Sequence, residues 1–286
     1  MGKILTSLAA VLFAFNANCA AATVNVKPQQ EMVQQSKAQQ NLADIAKSIY
    51  CIRTKTTYKN LLDEKMEPVE YNQHGTGFVF AEKEGWYYII TNQHVVDGDN
   101  NIVDENDIDD VHDMFAALFN LYEKSGEKTT IVDYRGDKKA DDDIELEEVV
   151  KSVELDVAIL RTKKKLHVAK GYEIGDPSGL KYGDTIYTFG FPFGSVKAMT
   201  KGIISNPGDN LPNAAENENK IIDTTYWAGN SGSPYFVMKD NRLYWVGISG
   251  RCFINHTGDC AGLAIGTDIT KFQDMMDKAL GKGGKK

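Results

Sequence analysis

Short apolar runs separated by turn residues make up most of the chain from about residue 45 onward. The runs GTGFVFA (75–81) and WYYIITN (86–92) are separated by the polar stretch EKEG, a pattern typical of a β-hairpin. An earlier run, SIYCIRTKTTY, has the same character. Eight further runs predict strands: TTIVDYR (129–135), ELEEVVKSVEL (145–155), DVAILRT (156–162), DTIYTFGFPF (184–193), VKAMTKGIIS (196–205), KIIDTTYW (220–227), GSPYFVM (232–238) and RLYWVGISG (242–250).

The order of these runs predicts an all-β fold. Many short strands follow one another without the alternating helices of a parallel sheet, and such sequences form barrels or a sandwich. The runs fall into two series of about equal size, joined near residues 163–172. We therefore expect two antiparallel β-barrels.

Two segments depart from the strand pattern and predict helices. Residues 109–124 and the stretch TDITKFQDMMDKAL near the C-terminus carry apolar residues at helical spacing. The second helix is expected to begin behind a Thr267/Asp268 cap. The apolar stripes are Val111, Met114, Phe115, Leu118 and Tyr122 in the first helix, and Ile269, Phe272, Met275, Met276 and Leu280 in the second.

The N-terminus has the pattern of a secretory signal. Lys3 precedes an apolar stretch over 4–17 that is too short to span a bilayer, and small residues follow at 20–22. A buried N-terminal helix is the alternative interpretation. We expect the following organisation: a signal peptide at 1–22, a flexible or helical lead-in at 23–44, a first barrel at 45–168 with an acidic insertion at 97–128, a second barrel with the terminal helix at 169–280, and a basic tail at 281–286.

Composition and charge narrow the function. The chain has 42% hydrophobic and 25% charged residues, which is typical of a globular protein. No apolar run reaches the ~20 residues of a membrane helix, so no stable membrane anchor is expected. The net charge of −8 makes a nucleic-acid partner improbable on charge grounds. The acidity is local, because residues 97–156 hold 20 of the 40 acids and 6 of the 32 bases, a net charge of −14.

The four cysteines fit an exported protein, since disulfides persist in oxidising compartments. Cys252 and Cys260 flank a short polar loop, and we expect them to form a bridge. Cys19 lies at the edge of the signal, and Cys51 is expected to be a buried thiol. Neither a metal-binding motif nor a phosphate-binding loop occurs, so no metal and no cofactor are expected.

Three short motifs together predict nucleophilic catalysis. In GNSGSP (229–234), glycines allow a tight turn that exposes the hydroxyl of Ser231, and the N–H groups of Gly229 and Ser231 can converge as an oxyanion hole. In TNQHVV, His94 follows an apolar strand and could act as general base, with His74 as its competitor. In LDVAIL, Asp156 opens an apolar run where a carboxylate is costly unless it is paired.

The motifs occur in the order His94, Asp156, Ser231, and the chain resembles the trypsin-like serine peptidases of the chymotrypsin fold. Within them it is similar to the bacterial HtrA/Deg-like branch, to which TNQHVV, DVAIL, GDTIYTFGFPFGSVKAMTKGIIS and GNSGSP correspond in order. The resemblance covers about residues 45–275 and implies two six-stranded antiparallel barrels with the triad between them.

The chain ends after the terminal helix, so it is expected to have no PDZ domain, and the trimer of that branch is in doubt. GSP in place of GGP also resembles secreted glutamyl-endopeptidase-like enzymes.

The resemblance places the floor of the primary pocket at Thr225 and a wall at Ser249, Gly250 and Arg251. An uncharged floor disfavours basic side chains and implies a small or medium uncharged one. Arg251 as the partner of an acidic side chain is the alternative. The same wall segment is expected to pair with extended substrate backbone.

The leading hypothesis is an exported endopeptidase, periplasmic or secreted, that acts on polypeptide substrates through a His–Asp–Ser triad and an acyl-enzyme. The alternative is a secreted binding or chaperone-like module on a peptidase fold. The sequence leaves the substrate and the oligomeric state open.

Overall fold

The structure is a computed structural model that describes residues 29–61, 65, 67–97, 122–132, 143–208, 218–254 and 260–282. The protein is mostly β, with two seven-stranded sheets. Helix α1 (Gln29–Lys47) covers most of the segment 23–44 expected to be flexible or helical and continues three residues beyond it. The predicted signal peptide and basic tail lie outside the described residues.

The first sheet holds the strands that precede the junction near residue 165. They are β1 (Ile49–Asn60), β2 (Val69–Lys83), β3 (Trp86–Thr91), β4 (Tyr122–Val132), β5 (Ile144–Glu145), β6 (Glu147–Ser152) and β7 (Val157–Thr162), with the short helix α2 (Gln93–Val96) after β3. Their order across the sheet is β5-β4-β1-β2-β3-β7-β6, and every pairing is antiparallel. The sheet curls into a half-barrel, because the segment 144–152 pairs with β4 at one edge and with β7 at the other.

The second sheet closes on itself. It contains β8 (Tyr172–Ile174), β9 (Thr185–Gly190), β10 (Ala198–Asn206), β11 (Glu218–Asp223), β12 (Ser233–Lys239), β13 (Arg242–Ile254) and β14 (Cys260–Asp268), followed by α3 (Ile269–Ala279). The order is β12-β9-β10-β11-β14-β13-β8, and a further pairing of β12 with β13 closes a six-stranded barrel. Strand β8 lies outside this ring and runs parallel to β13.

The predicted β fold and C-terminal helix are confirmed, with one difference in shape: of the two barrels expected, one is a closed barrel and the other a half-barrel. Most of the predicted runs coincide with strands. The run 145–155 is two strands separated at Leu146, and its last residues form a turn. The run 184–193 ends as a strand at Gly190, and Pro192, which lacks an N–H for the ladder, begins a 3₁₀ turn to Gly194.

The predicted helix at 109–124 is wrong at its C-terminal end. Residues 98–121 lie outside the described residues, but Tyr122 to Lys124 belong to β4, where their backbone pairs with Asn60 to Tyr58 of β1. Tyr122 is therefore not part of a helical stripe. The β-branched residues further along β4 favour this extended conformation.

A shared apolar core joins the two sheets. The ring of Phe78 on β2 contacts Trp245 on β13 and Phe236 on β12 edge-on, with centroids 4.9 and 5.8 Å apart. The ring of Phe272 of α3 also packs on Trp245, with centroids 6.1 Å apart. These large side chains are fully buried, so the rigid core holds β2 and β12 together beside the segment that precedes β12.

Candidate active site

Strand pairing brings His94 and Asp156 together. Strand β3 ends at Thr91, which lies opposite Ala158 near the start of β7. The residues just beyond β3 and just before β7 are therefore neighbours, and His94 on α2 and Asp156 occupy these positions. The pairing register, and not sequence proximity, places the two side chains side by side.

The Asp156 carboxylate holds the His94 imidazole from one side. His94 Nδ1 lies 2.8 Å from Asp156 Oδ2 and 3.0 Å from Oδ1, and the backbone N–H of His94 donates to Oδ1 at 3.0 Å. The aspartate is 7% exposed. A carboxylate at Nδ1 fixes the tautomer that leaves Nε2 free to accept a proton, which is the arrangement of a general base.

Asp156 is held in an unusual backbone conformation. Its φ is +51°, in the left-handed region that non-glycine residues rarely adopt. The side-chain amide of Asn92, fully buried, donates to the Asp156 carbonyl at 2.7 Å. Gly250 lies against the Asp156 carboxylate, since a methyl group in place of a glycine hydrogen would be 3.2 Å from Asp156 Oδ2.

Ser231 lies in a tight turn between Gly229 (φ +92°) and Gly232 (φ +88°). The turn is tied to both sheets, because the Thr76 N–H donates to the Ser231 carbonyl at 2.7 Å and the Gly232 N–H donates to the Ser249 carbonyl at 2.8 Å. A side chain at Gly232 would overlap the carbonyl oxygen of Thr76. The glycines are therefore needed both for the turn and for its close contact with β2.

The Ser231 hydroxyl has two partners. It donates to the Gly250 carbonyl at 3.3 Å and accepts from the Tyr226 hydroxyl at 3.4 Å. Gly250 thus lies against both the serine and the carboxylate of Asp156. Burial, and then the nearby charge of Asp156, raise the pKa of Tyr226, so this phenol stays protonated.

The N–H groups of Gly229 and Ser231 donate no hydrogen bond to any described residue. The Gly229 carbonyl is held separately, as it accepts from the Thr76 hydroxyl at 2.8 Å. An oxyanion hole requires backbone N–H groups near the nucleophile that are not already hydrogen-bonded, and the N–H groups of Gly229 and Ser231 fit this requirement.

The other histidines lie in different surroundings. His74 is opposite Arg53 on β1, and burial, with the charge of Arg53, lowers the pKa of His74. His167 Nε2 lies 2.8 Å from Asp44 of α1, a second His–carboxylate pair that includes none of the residues of the three motifs. His112 and His256 lie outside the described residues.

Of the four residues predicted to form the primary pocket, one lines the pocket in front of the serine segment and three lie elsewhere, on β13. Thr225 is exposed and lines a pocket of about 300 Å³. Ser249 is buried and donates to the Ser233 carbonyl at 3.2 Å, Gly250 contacts Asp156, and Arg251 is exposed on β13. These three do not appear among the described residues that line the Thr225 pocket.

Sequence reasoning missed Tyr226 and Asn92. Burial alternates from Thr224 to Trp227 and turns Tyr226 inward, but the letters TTYW show no polar–apolar alternation, so the sequence carried no signal for it. Asn92 precedes α2 at a position where an asparagine is expected to cap a helix. Its side chain makes no cap hydrogen bond and contacts Asp156 instead.

Three of the four cysteines lie on described strands. Cys51 is buried and forms no disulfide, and its Sγ lies 3.9 Å from the Gly194 carbonyl oxygen. Cys252 lies on β13 and Cys260 at the start of the paired strand β14, where it is opposite Ile254. The Cys260 side chain lies outside the described part of the chain, so the bridge stays a prediction.

Among the described residues, no cluster of three or more His, Cys, Asp or Glu side chains could hold a metal ion. Within that same part of the chain, every helix is too short or too polar to cross a membrane.

The two sheets bring the His94–Asp156 pair and the Ser231 turn together at Gly250. This is the architecture of the chymotrypsin-like hydrolases. The profile of the trypsin-like peptidase domain matches residues 75–248, more than half of the chain and the segment that contains all three motifs. The chain belongs to the trypsin-like peptidase family.

The curated relatives are named as periplasmic proteases. A probable periplasmic serine endoprotease, DegP-like, of Pseudomonas savastanoi pv. phaseolicola is 30% identical over 211 residues, 73% of this chain and 35% of the relative. The protein of the same name from Pseudomonas putida is 36% identical over 131 residues, 46% of this chain and 26% of the relative. The chain therefore spans about a third of the length of the curated relatives it matches.

Solved structures support the fold. The HtrA-type protease AlgW with a decapeptide has a TM-score of 0.57 at 18% identity, over 86% of this chain and 68% of that one. AlgW with a tripeptide has a TM-score of 0.54 at 19% identity, over 86% and 64% of the two chains. At this identity the likeness concerns the fold.

Proposed function

We propose that the chain is an exported serine endopeptidase that hydrolyses polypeptides through His94, Asp156 and Ser231. The observation that carries the proposal is the geometry around Gly250, which contacts the Asp156 carboxylate on one side and the Ser231 hydroxyl on the other. The carboxylate in turn holds His94 Nδ1 at 2.8 Å. This arrangement is suited to acyl transfer.

The proposed reaction has two halves. Ser231 Oγ attacks the substrate carbonyl while its proton passes to His94 Nε2, and the N–H groups of Gly229 and Ser231 stabilise the negative oxygen. His94 then protonates the leaving amine, and the C–N bond breaks to give an acyl-enzyme. Water loses a proton to His94 as it attacks the ester, and Ser231 recovers its proton when the acid product leaves. Asp156 holds the imidazole and stabilises its charged form throughout.

The resting position of the serine adds one step. Because the Ser231 hydroxyl donates to the Gly250 carbonyl, the O–H must turn to His94 before attack. Rotation of a side chain between staggered positions is fast compared with typical turnover. The resting contact therefore does not oppose the proposed role.

Export and the bridge belong to the same proposal. The signal pattern at the N-terminus and the periplasmic names of the relatives both support export. The antiparallel pairing of β13 and β14 brings the segments that carry Cys252 and Cys260 together, which favours a bridge. The exposed wall at Arg251 is proposed to pair with extended substrate.

A serine-directed fluorophosphonate tests the function. The wild-type chain should be labelled and should hydrolyse peptides, whereas Ser231→Ala and His94→Ala should each lose hydrolysis by several orders of magnitude. Triad members act as a unit, so the double variant should lose little more than either single variant.

His74→Ala is the matched control, because His74 is the competing histidine and lies opposite Arg53. Near-normal turnover in His94→Ala, with loss in His74→Ala, would overturn the assignment. A folded wild-type chain that takes up no label and cleaves nothing would favour the binding or chaperone-like alternative.

A further inference from the structure

Thr76 on β2 holds the Ser231 turn through its side chain as well as through its backbone. The residue is fully buried. Its hydroxyl donates to the Gly229 carbonyl at 2.8 Å and accepts from the Phe191 N–H at 3.0 Å. Its backbone N–H donates to the Ser231 carbonyl at 2.7 Å. Three polar groups of one residue therefore hold the Ser231 turn at two points and a third segment of the chain at one.

The Thr76 hydroxyl can make these contacts in only one orientation. The Gly229 carbonyl can only accept and the Phe191 N–H can only donate, so the single hydroxyl proton points to Gly229. Because the side chain is fully buried, bulk water does not replace either partner. Valine, which has the same shape without the hydroxyl, would lose both contacts, whereas serine can make both.

The segment 191–194, in the connection between β9 and β10, packs directly on Gly229. A methyl group on Gly229 would lie 2.3 Å from the Phe191 carbonyl oxygen and 3.0 Å from Phe193 N. Phe193 has a φ of +55°, in the left-handed region that non-glycine residues rarely adopt. Such a conformation persists only where neighbouring contacts hold it, and the Thr76 hydroxyl accepts the first N–H of this segment.

The segment 191–194 also determines where the Gly229 N–H points. The Phe193 N–H donates to the Ala228 carbonyl at 2.6 Å. Across a planar trans peptide group the carbonyl and the N–H point in opposite directions, so a fixed Ala228 carbonyl fixes the Gly229 N–H. Both peptide groups that flank the Gly229 Cα are thus held, one by the segment 191–194 and the other by the Thr76 hydroxyl.

We propose that Thr76 is a positioning residue for the oxyanion hole. The proposal rests on the proposed function, since it concerns the N–H donors of Gly229 and Ser231 that would stabilise the negative oxygen. The partners of the Thr76 hydroxyl are backbone groups and not reacting atoms, so it acts through the Gly229 carbonyl and the segment 191–194. Donors that are held in place before the reaction stabilise the developing charge without reorganisation, which raises kcat more than it tightens substrate binding.

Steady-state kinetics of two variants tests the hydroxyl. Thr76→Val keeps the shape of the side chain and should lower kcat about ten- to a hundredfold with little change in KM, because the donors are loosened in the transition state. Thr76→Ser keeps the hydroxyl and should retain most of kcat. A wild-type kcat in Thr76→Val, or equal losses in the two variants, would overturn the proposal. If Thr76→Val does not fold, Thr76→Ser and Thr76→Ala, which also differ by one hydroxyl, give the same comparison.

A transition-state analogue separates positioning from a general loss of structure. Phenylboronic acid adds to a nucleophilic serine as a tetrahedral adduct, and its affinity should fall in Thr76→Val by about the factor by which kcat falls. An unchanged affinity beside a lower kcat would overturn the proposal. Thr130→Val is the matched control, because Thr130 is a buried threonine on β4 whose hydroxyl donates to the Arg53 carbonyl. It should leave kcat and the affinity for phenylboronic acid unchanged, and losses equal to those of Thr76→Val would count against a specific role.

Amide hydrogen exchange tests the contacts in the Ser231→Ala chain, without proteolysis. The amides of Phe191 and Phe193 should exchange faster when Thr76→Val is added than when Thr76→Ser is added. Equal exchange in the two chains, with an active wild type, would overturn the role of Thr76 alone. A wild-type chain that takes up no fluorophosphonate and cleaves no peptide would overturn the proposed function and, with it, the oxyanion hole that Thr76 is proposed to position.

Discussion

At the residue scale, the position of Asp156 depends on Asn92. A left-handed backbone conformation at a non-glycine residue costs on the order of 1 kcal/mol or more and persists only where surrounding contacts hold it. The hydrogen bond from the buried Asn92 amide to the Asp156 carbonyl, at 2.7 Å, is such a contact. The conformation directs the carboxylate to both the N–H and the Nδ1 of His94. Asn92 is thus a positioning residue for the His94–Asp156 pair.

Asn92→Ala should lower kcat about ten- to a hundredfold, because loss of a buried hydrogen bond worth about 1–3 kcal/mol loosens the carboxylate that orients His94. KM should change little, since the Asn92 side chain is fully buried. Steady-state kinetics gives the split, and the downfield proton signal of His94 Nδ1–H reports the carboxylate contact directly.

Asn72→Ala provides the control for this prediction, as Asn72 is exposed on β2. An unchanged kcat and Nδ1 signal in Asn92→Ala would show that Asp156 holds its position without the amide. The triad assignment would survive that outcome.

The residues that the sequence identified are those with local signals. Ser231 is surrounded by glycines, and Asp156 precedes an apolar run, so each is visible in a few letters. The partners Asn92 and Gly250 are not, because their contacts with Asp156 join segments far apart in sequence. Such contacts depend on strand register, which motifs do not encode.

At the element scale, a buried ion pair joins β11 to the start of α3. Lys220 Nζ lies 3.1 Å from Asp268 Oδ2, with both side chains about 5% exposed or less. The Tyr235 hydroxyl donates to Asp268 Oδ1 at 3.1 Å, and burial, with the charge of Asp268, raises the pKa of Tyr235 well above its usual value. Asp268 was expected to cap α3, but its side chain makes no cap bond because it turns inward to Lys220.

Lys220→Met should lower the free energy of unfolding by about 3–5 kcal/mol, because it leaves the buried Asp268 carboxylate without its cation. The double variant Lys220→Met, Asp268→Asn should recover much of that loss, since it removes both charges. Urea denaturation of the Ser231→Ala chain measures both without self-digestion.

Lys55→Met serves as the comparison, because Lys55 and Glu70 form an ion pair at 2.6 Å with both side chains more than 40% exposed. Its effect should stay within about 1 kcal/mol. Similar losses in Lys55→Met and Lys220→Met would mean that burial does not strengthen the inner pair.

Elements could be predicted where one physical pattern dominated. Strands β2, β3 and β7 and helix α3 have strong apolar patterns and were located correctly. The segment 122–124 was misassigned because its few apolar residues fit either period, and pairing with β1 decided its conformation. The short strand β8 has only three residues and is set by its parallel partner β13.

At the scale of the whole molecule, charge is divided unevenly. Residues 97–156 carry a net −14, while the rest of the chain sums to +6. Part of this acidity is neutralised locally, since Lys151 pairs with Asp97 at 2.6 Å and this hydrogen bond raises the pKa of Lys151. Asp97 directly follows α2, three residues after His94. The acidic block 97–156 therefore begins next to the candidate base.

We expect this charge to steer substrates. Net negative charge that begins next to the candidate base attracts Lys/Arg-rich polypeptides and repels acidic ones, and salt screens the effect over ~10 Å at 0.1 M. The specificity constant, kcat/KM, for basic peptides should therefore fall as salt rises. Attraction of basic substrates conflicts with the alternative in which Arg251 holds an acidic substrate side chain. We favour attraction of basic substrates, because residues 97–156 carry a net charge of −14.

Replacement of the six acids between 104 and 113 by amides should flatten the salt dependence, because it removes nearly half of the local net charge. The rate for a neutral peptide should stay the same, which separates steering from damage to the site. A control chain carries amides at six exposed acids outside residues 97–156, and it should keep the salt slope of the wild type. Those six are Glu67, Glu70, Glu84, Glu173, Asp240 and Asp274. Equal slopes in the wild type and the 104–113 variant would show that this segment does not contribute to substrate capture, since long-range attraction must scale with the charge that produces it.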